Sequence, residues 1–258
     1  MWRTVRIAIL LLILGIVAWS NFYDRYSTTD WDETLWVGIF PINAEGDGKT
    51  AAYIERLTSE RVADIERFLN REAKHYDIGI ERPVRVDLYP AVTEKPPPLA
   101  GDAGLLTRMA WSIRMRMYAR RMVRSTDRPP PEIRVFVLLH DPDFTRSVPH
   151  SVGLQKGLVG VVHGFAKASA TRVNNVVIAH EILHTLGASD KYDPATNAPL
   201  FPLGYAEPDR QPLHPQTLTE IMAGRYAVDQ HTFEMPASLD EVRVGPATAL
   251  EIRWTDEP

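Results

Sequence analysis

The residue types best suited to chemistry in this 258-residue chain lie in one run, His180-Glu181-Ile182-Leu183-His184-Thr185-Leu186-Gly187-Ala188-Ser189-Asp190. On a helix, residues four apart lie one turn above each other, so the imidazoles of His180 and His184 point the same way and can grip one metal ion. Glu181 flanks the same point. Zinc held there lowers the pKa of its bound water towards neutrality, and a carboxylate close to the metal that does not ligate it can take that water's proton. This is hydrolytic chemistry.

Such a site needs a third protein ligand, so the helix has to end soon after His184. Gly187 suits that end, because glycine takes the left-handed conformation without penalty and lets the chain reverse. The reversal carries Asp190 back towards the metal, with Asp193 close behind as the alternative. Two imidazoles and one carboxylate leave the fourth zinc position to water, which is the catalytic coordination pattern. The chain has no cysteine, so a thiolate cage is excluded and nitrogen and oxygen must hold the metal.

The spacing His-Glu-x-x-His-x-x-Gly-x-x-Asp resembles the metzincin clan of zinc endopeptidases, in the snapalysin-like form that ends in Asp. The resemblance implies His180, His184 and Asp190 as zinc ligands and Glu181 as general base. Only Asp190 has the clan's spacing from the glycine. Metzincins also carry a methionine-bearing turn beneath the metal, and Met222 in Glu220-Ile221-Met222-Ala223-Gly224 is its equivalent here. Some members place a tyrosine two residues further on, where this chain has Gly224. Tyr192 and Tyr226 lie nearby in sequence and are read as structural residues.

The elements that must position these groups can be followed along the chain. Leu35 to Ile42 reads as a buried strand, Thr50 to His75 as an amphipathic helix, and Pro83 to Tyr89 as a second strand, together a parallel strand-helix-strand unit. Proline runs then bracket a segment near 99–128 in which Leu105, Met109, Ile113 and Met117 mark one helix face and arginines cover much of the rest. That segment is read as a core-packed helix with a solvated arginine face. The alternative is a helix that lies on anionic lipid, with Trp111 and Tyr118 contributing.

Ile133 to Leu139 is a third strand, and His150 to Ala166 gives two short extended pieces rich in glycine, one of them an edge strand within His150 to Gly157. His163 is read as a strand-core residue, with a place in the site as the alternative. Val173 to Ile178 then leads into the motif helix, with Ser169 and Thr171 as cap candidates. A proline-rich loop after Asp190 would form the lower wall of a cleft, and a short helix around Ala247 to Ile252 closes the chain.

This order is similar to the N-terminal subdomain shared by metzincins and other zincins. The fold expected is α+β and zincin/metzincin-like: a mixed, mostly parallel sheet of about five strands, a backing helix, an active-site helix and a small loop-rich C-terminal subdomain. The boundaries expected are an N-terminal segment over 1–26 and a catalytic domain over 27–258, its upper part 27–190 and its lower part 191–258.

The apolar run Ile7 to Trp19 follows Arg3 and Arg6. Extended from Trp2 to Tyr23, a helix there is about 33 Å long, enough to cross a bilayer. It is read as a single-pass signal anchor that leaves the remainder outside the cytoplasm, with a cleaved signal peptide as the competitor. A net charge of −4 argues against nucleic acid as a partner.

The function expected is therefore a membrane-anchored zinc endopeptidase acting on proteins or peptides outside the cytoplasm. Its rivals are a zincin-fold scaffold of the cell envelope that cleaves nothing, and a zinc amidase acting on cell wall.

Overall fold

The computed structural model describes residues 29–98, 104–155 and 157–256, together with Arg6. The segment 1–26 read as a membrane anchor lies, Arg6 apart, outside the described residues. Among the described residues no helix is long and apolar enough to cross a membrane.

The chain is α+β, built on one mixed five-stranded sheet. Strands β1 (Leu35–Asn43), β2 (Val84–Leu88), β3 (Ile133–His140) and β5 (Val159–Phe165) run parallel, and β4 (Val152–Leu154) pairs antiparallel with β5 at one edge. The spatial order is β2-β1-β3-β5-β4. The central strands read as near-continuous apolar runs because both faces of the sheet are covered. Along β3, Ile133, Val135, Val137 and Leu139 enter one core while Phe136 and Leu138 enter the other.

The first core packs against α2 (Ala63–His75), through Ile65, Phe68 and Leu69, and against α4 (Thr171–Leu186), through Ile178, Ile182 and Leu183. The helix expected over Thr50 to His75 is broken. It forms α1 (Gly48–Glu55) and α2, separated by an extended Thr58 and a single 3-10 turn at Ser59–Arg61. Thr58 and Ser59 are poor interior helix residues, since their hydroxyls compete for backbone partners. Neither cap candidate of α4 serves as a side-chain cap. Thr171 is already its first helical residue and its hydroxyl meets Tyr53 Oη at 3.1 Å.

The second core packs against α3 (Leu105–Arg124), and here the sequence reading is corrected. The face that enters the core is Trp111, Met115, Tyr118, Ala119 and Met122, whereas Met109, Ile113 and Met117 are exposed. Two hydrogen bonds lock this orientation, Trp111 Nε1 donating to Pro97 O at 2.8 Å and Tyr118 Oη to Glu94 O at 2.6 Å. Aromatic rings with a polar tip bury more apolar area than methionine and still satisfy their donors, so they take the inner face.

The C-terminal part returns beneath α4 in short pieces: β6 (Thr219–Glu220) pairs with β9 (Val242–Arg243), β7 (Tyr226–Ala227) pairs with β8 (Phe233–Glu234), and α5 (Pro246–Glu251) follows. Buried carboxylates hold these pieces. Glu72 on α2 accepts the Val244 N–H at 2.9 Å. Glu220 accepts the amides of Met222 (2.6 Å), Ala223 (2.9 Å) and Gly245 (3.1 Å) and the Thr248 hydroxyl (2.7 Å). Burial pushes the Glu220 carboxyl upward, and these donors pull it back.

Glu220→Ala leaves those buried donors without an acceptor and should lower stability by about 3 kcal/mol, read as an earlier urea midpoint. A midpoint equal to wild type would contradict this role for Glu220.

Candidate metal centre

Helix α4 presents His180 and His184 on one face, their rings 4.6 Å apart and nearly perpendicular. The helix then stops in a Schellman turn. The Ala188 N–H bonds Leu183 O at 3.0 Å, the Gly187 N–H bonds His184 O at 3.1 Å, and Gly187 sits at φ 107°. A side chain at 187 would be strained in that backbone and would strike Gln155 Nε2, 2.6 Å from where its Cβ would lie.

The reversal places Asp190 Oδ1 3.3 Å from His180 Nε2 and 3.1 Å from His184 Nε2. The residues on either side hold it there. The Ser189 N–H and hydroxyl both bond the Glu251 carboxylate of α5, and Lys191 Nζ reaches the same carboxylate at 2.7 Å. Asp193, the alternative ligand, turns away and accepts the Ala195 amide at 2.7 Å. His180, His184 and Asp190 are the group able to hold a metal ion among the described residues.

The protonation pattern of this group favours a cation. His180 Nδ1 lies 2.9 Å from Ile221 O and His184 Nδ1 lies 2.8 Å from Ala188 O. A carbonyl oxygen only accepts, so both Nδ1 atoms carry a proton and both Nε2 atoms turn inward, towards Asp190. Two imidazole nitrogens and a carboxylate oxygen then meet at one point, and positive charge shared among them, carried by protons or by a metal ion, holds the three together. Burial pushes the Asp190 carboxyl up, but its bonds to the two imidazoles prevail and hold it well below the usual carboxylate range. Burial would lower His184, and Asp190 and Glu181 outweigh it to raise the imidazole.

Glu181 is buried beside this group, and its Oε2 has no hydrogen-bond partner among the described residues. Burial pushes its carboxyl upward, while the two imidazoles and the Gly153 amide pull the other way. A bare carboxylate oxygen inside a protein is costly. Its place next to two metal-type histidines fits a group that handles a proton from bound water.

Gly153 on β4 lets the edge strand lie directly on the helix, since a Cβ there would come within 2.5 Å of His184 Cβ and 2.6 Å of Glu181 O. The edge strand therefore falls within the expected stretch. Below the group, the turn at Glu220 to Gly224 supplies the Ile221 carbonyl that orients His180, and Met222 is fully buried behind it. Of the two tyrosines near in sequence, Tyr226 donates to Glu234 at 2.9 Å on the β7–β8 hairpin, whereas Tyr192 lines the cleft.

That cleft has a volume of about 410 Å³ and is bounded by His150, Ser151, His163, His180, Glu181 and Tyr192 among others. His163 does more than pack in the sheet. Its Nδ1 shares a 2.9 Å hydrogen bond with His140 Nε2, and His140 Nδ1 donates to Glu45 at 2.7 Å. Burial, with help from His140, pushes His163 down to about 4. This row was missed from sequence. The available signal was three polar residues at the C-terminal ends of neighbouring parallel strands, where sites in such sheets gather.

No protein-family model matches the chain, and no curated protein matches it. The site therefore stands on its own geometry.

Two outcomes follow. Zinc competition titration should show Asp190→Ala binding about 100-fold more weakly than wild type, and Asp193→Ala binding unchanged. The reverse order would reassign the third ligand. The depressed His163 means that the folded protein resists a proton which the unfolded chain accepts, so this residue's contribution is complete above about 6.5 and is lost as pH falls towards about 4. His163→Phe should flatten the thermal-stability profile across that window. A profile of unchanged slope would mean that His163 is not held neutral.

Proposed function

We propose that the chain is a zinc-dependent endopeptidase of metzincin type, acting on proteins or peptides outside the cytoplasm and tethered by its N-terminal apolar segment. The observation that carries this reading is the convergence of His180, His184 and Asp190 on one point, with the unpartnered oxygen of Glu181 beside it. The donor set suits zinc, with two imidazoles whose other nitrogens are bound to carbonyls, one carboxylate and no thiolate. When bound, the metal supplies Lewis acidity, bringing water within reach of deprotonation near neutral pH and polarising a carbonyl.

The chain's own groups do the rest. Ile221 O and Ala188 O fix both imidazoles in the tautomer that leaves Nε2 free. Glu181, raised by burial, takes a proton from the attacking water and passes it to the departing amine. Strand β4 ends the sheet among the described residues, so an extended peptide can add to it by backbone hydrogen bonds. Tyr192 and His163 line the space that such a peptide's side chains would enter. The five-stranded sheet with an antiparallel edge strand lying on the helix of His180 and His184 is in keeping with the zincin part of this reading.

Glu181→Gln should retain zinc and lose hydrolysis of a peptide library by about a thousandfold, followed by mass spectrometry of the products. Full activity in that variant would remove Glu181 as the base. Purified cell wall as a parallel substrate separates the peptidase from an amidase. Intact substrates in both arms, with zinc bound, would point to a scaffold.

A further inference from the structure

Helix α3 has two apolar faces. One is buried in the second core, and the other, Met109, Ile113 and Met117 at successive i, i+4 positions, is 56–58% exposed. Around that outer row stand Arg114, Arg120 and Arg124, all exposed, and the helix carries six arginines with no acidic residue. The chain as a whole has net charge −4, so positive charge is gathered onto this one surface against the overall balance.

We propose that the outer face of α3 docks on an anionic lipid bilayer, with Met109, Ile113 and Met117 entering the boundary between headgroups and acyl chains and Arg114, Arg120 and Arg124 meeting lipid phosphates. Three long apolar side chains in a row, flanked by arginines on a helix whose own sequence holds no carboxylate, the nearby Glu94 being paired to Arg121, match the two layers that a helix meets when it lies in a membrane surface. A nucleic acid explains the arginines but not the apolar row at their centre, since phosphate contacts need no buried hydrocarbon. A protein partner is disfavoured by area: one helical row without a groove falls well short of the roughly 800 Å² per side that stable interfaces bury. The buried Trp111 and Tyr118 play no part in docking. They fix the rotation of the helix, and so decide which residues face outward. The proposal is independent of the peptidase reading.

The chain has no cysteine, so Ile113→Cys accepts a single environment-sensitive fluorophore, and Gln230→Cys, on an exposed turn, serves as the control position. The full chain is reconstituted with vesicles of phosphatidylglycerol or of phosphatidylcholine, each with and without acyl-chain-brominated lipid. The expected result is a blue-shifted probe at 113 that brominated lipid quenches in the anionic vesicles only, with none of this at 230. Replacing Arg114, Arg120 and Arg124 by Gln should lower the docked-to-undocked ratio by about a hundredfold while the circular-dichroism melt is unchanged. Equal quenching in both lipids, or none in either, would overturn the proposal. So would a probe shielded without bromine quenching, which would mean that protein covers the face, or one shielded only on adding an oligonucleotide.

Discussion

Three ligand-type atoms face one another at the end of α4: the Nε2 atoms of His180 and His184 and one oxygen of Asp190, which lies 3.3 and 3.1 Å from them. Positive charge shared at that point is what binds the three, and much of the surrounding structure serves to keep them convergent. The Schellman turn at Gly187 directs the chain back, Glu251 and Lys191 clamp the residues beside Asp190, and carbonyls fix the imidazole tautomers. A shared cation reconciles the group, so the fold spends its order on preparing a charge-binding point.

The supports reach well beyond the ligands. Glu220, almost wholly buried, gathers four donors from the turn that orients His180 and from the segment leading into α5. α5 carries Glu251, so one buried carboxylate governs the floor of the site and a second, partly exposed one clamps the residues on either side of Asp190. Gly153 brings the edge strand within contact of Glu181 and His184 from the opposite side. Such a site is preorganised, with little left to rearrange when a metal ion binds.

The four long strands, the motif helix and its glycine stop were legible because period and turn chemistry are local properties of the chain. So was Asp190, since its offset from Gly187 is set by one turn. Three features were not legible. The apolar positions of α3 make two faces, and which one turns inward depends on the Trp111 and Tyr118 hydrogen bonds to a distant proline segment. The Glu45–His140–His163 row joins two strands and the turn after a third, and no spacing in the chain marks it. The burial of Glu220 had no local sign, because its four donors come from sequence positions 222 to 248.

X-ray absorption at the zinc edge, on the purified chain loaded with one equivalent of metal, reads the centre directly. The geometry described here predicts a shell of two imidazole nitrogens near 2.0 Å with oxygen completing about four ligands, and no sulfur. Metal that fails to bind stoichiometrically, or a spectrum showing fewer than two imidazoles, would contradict the convergence of His180, His184 and Asp190 on one ion.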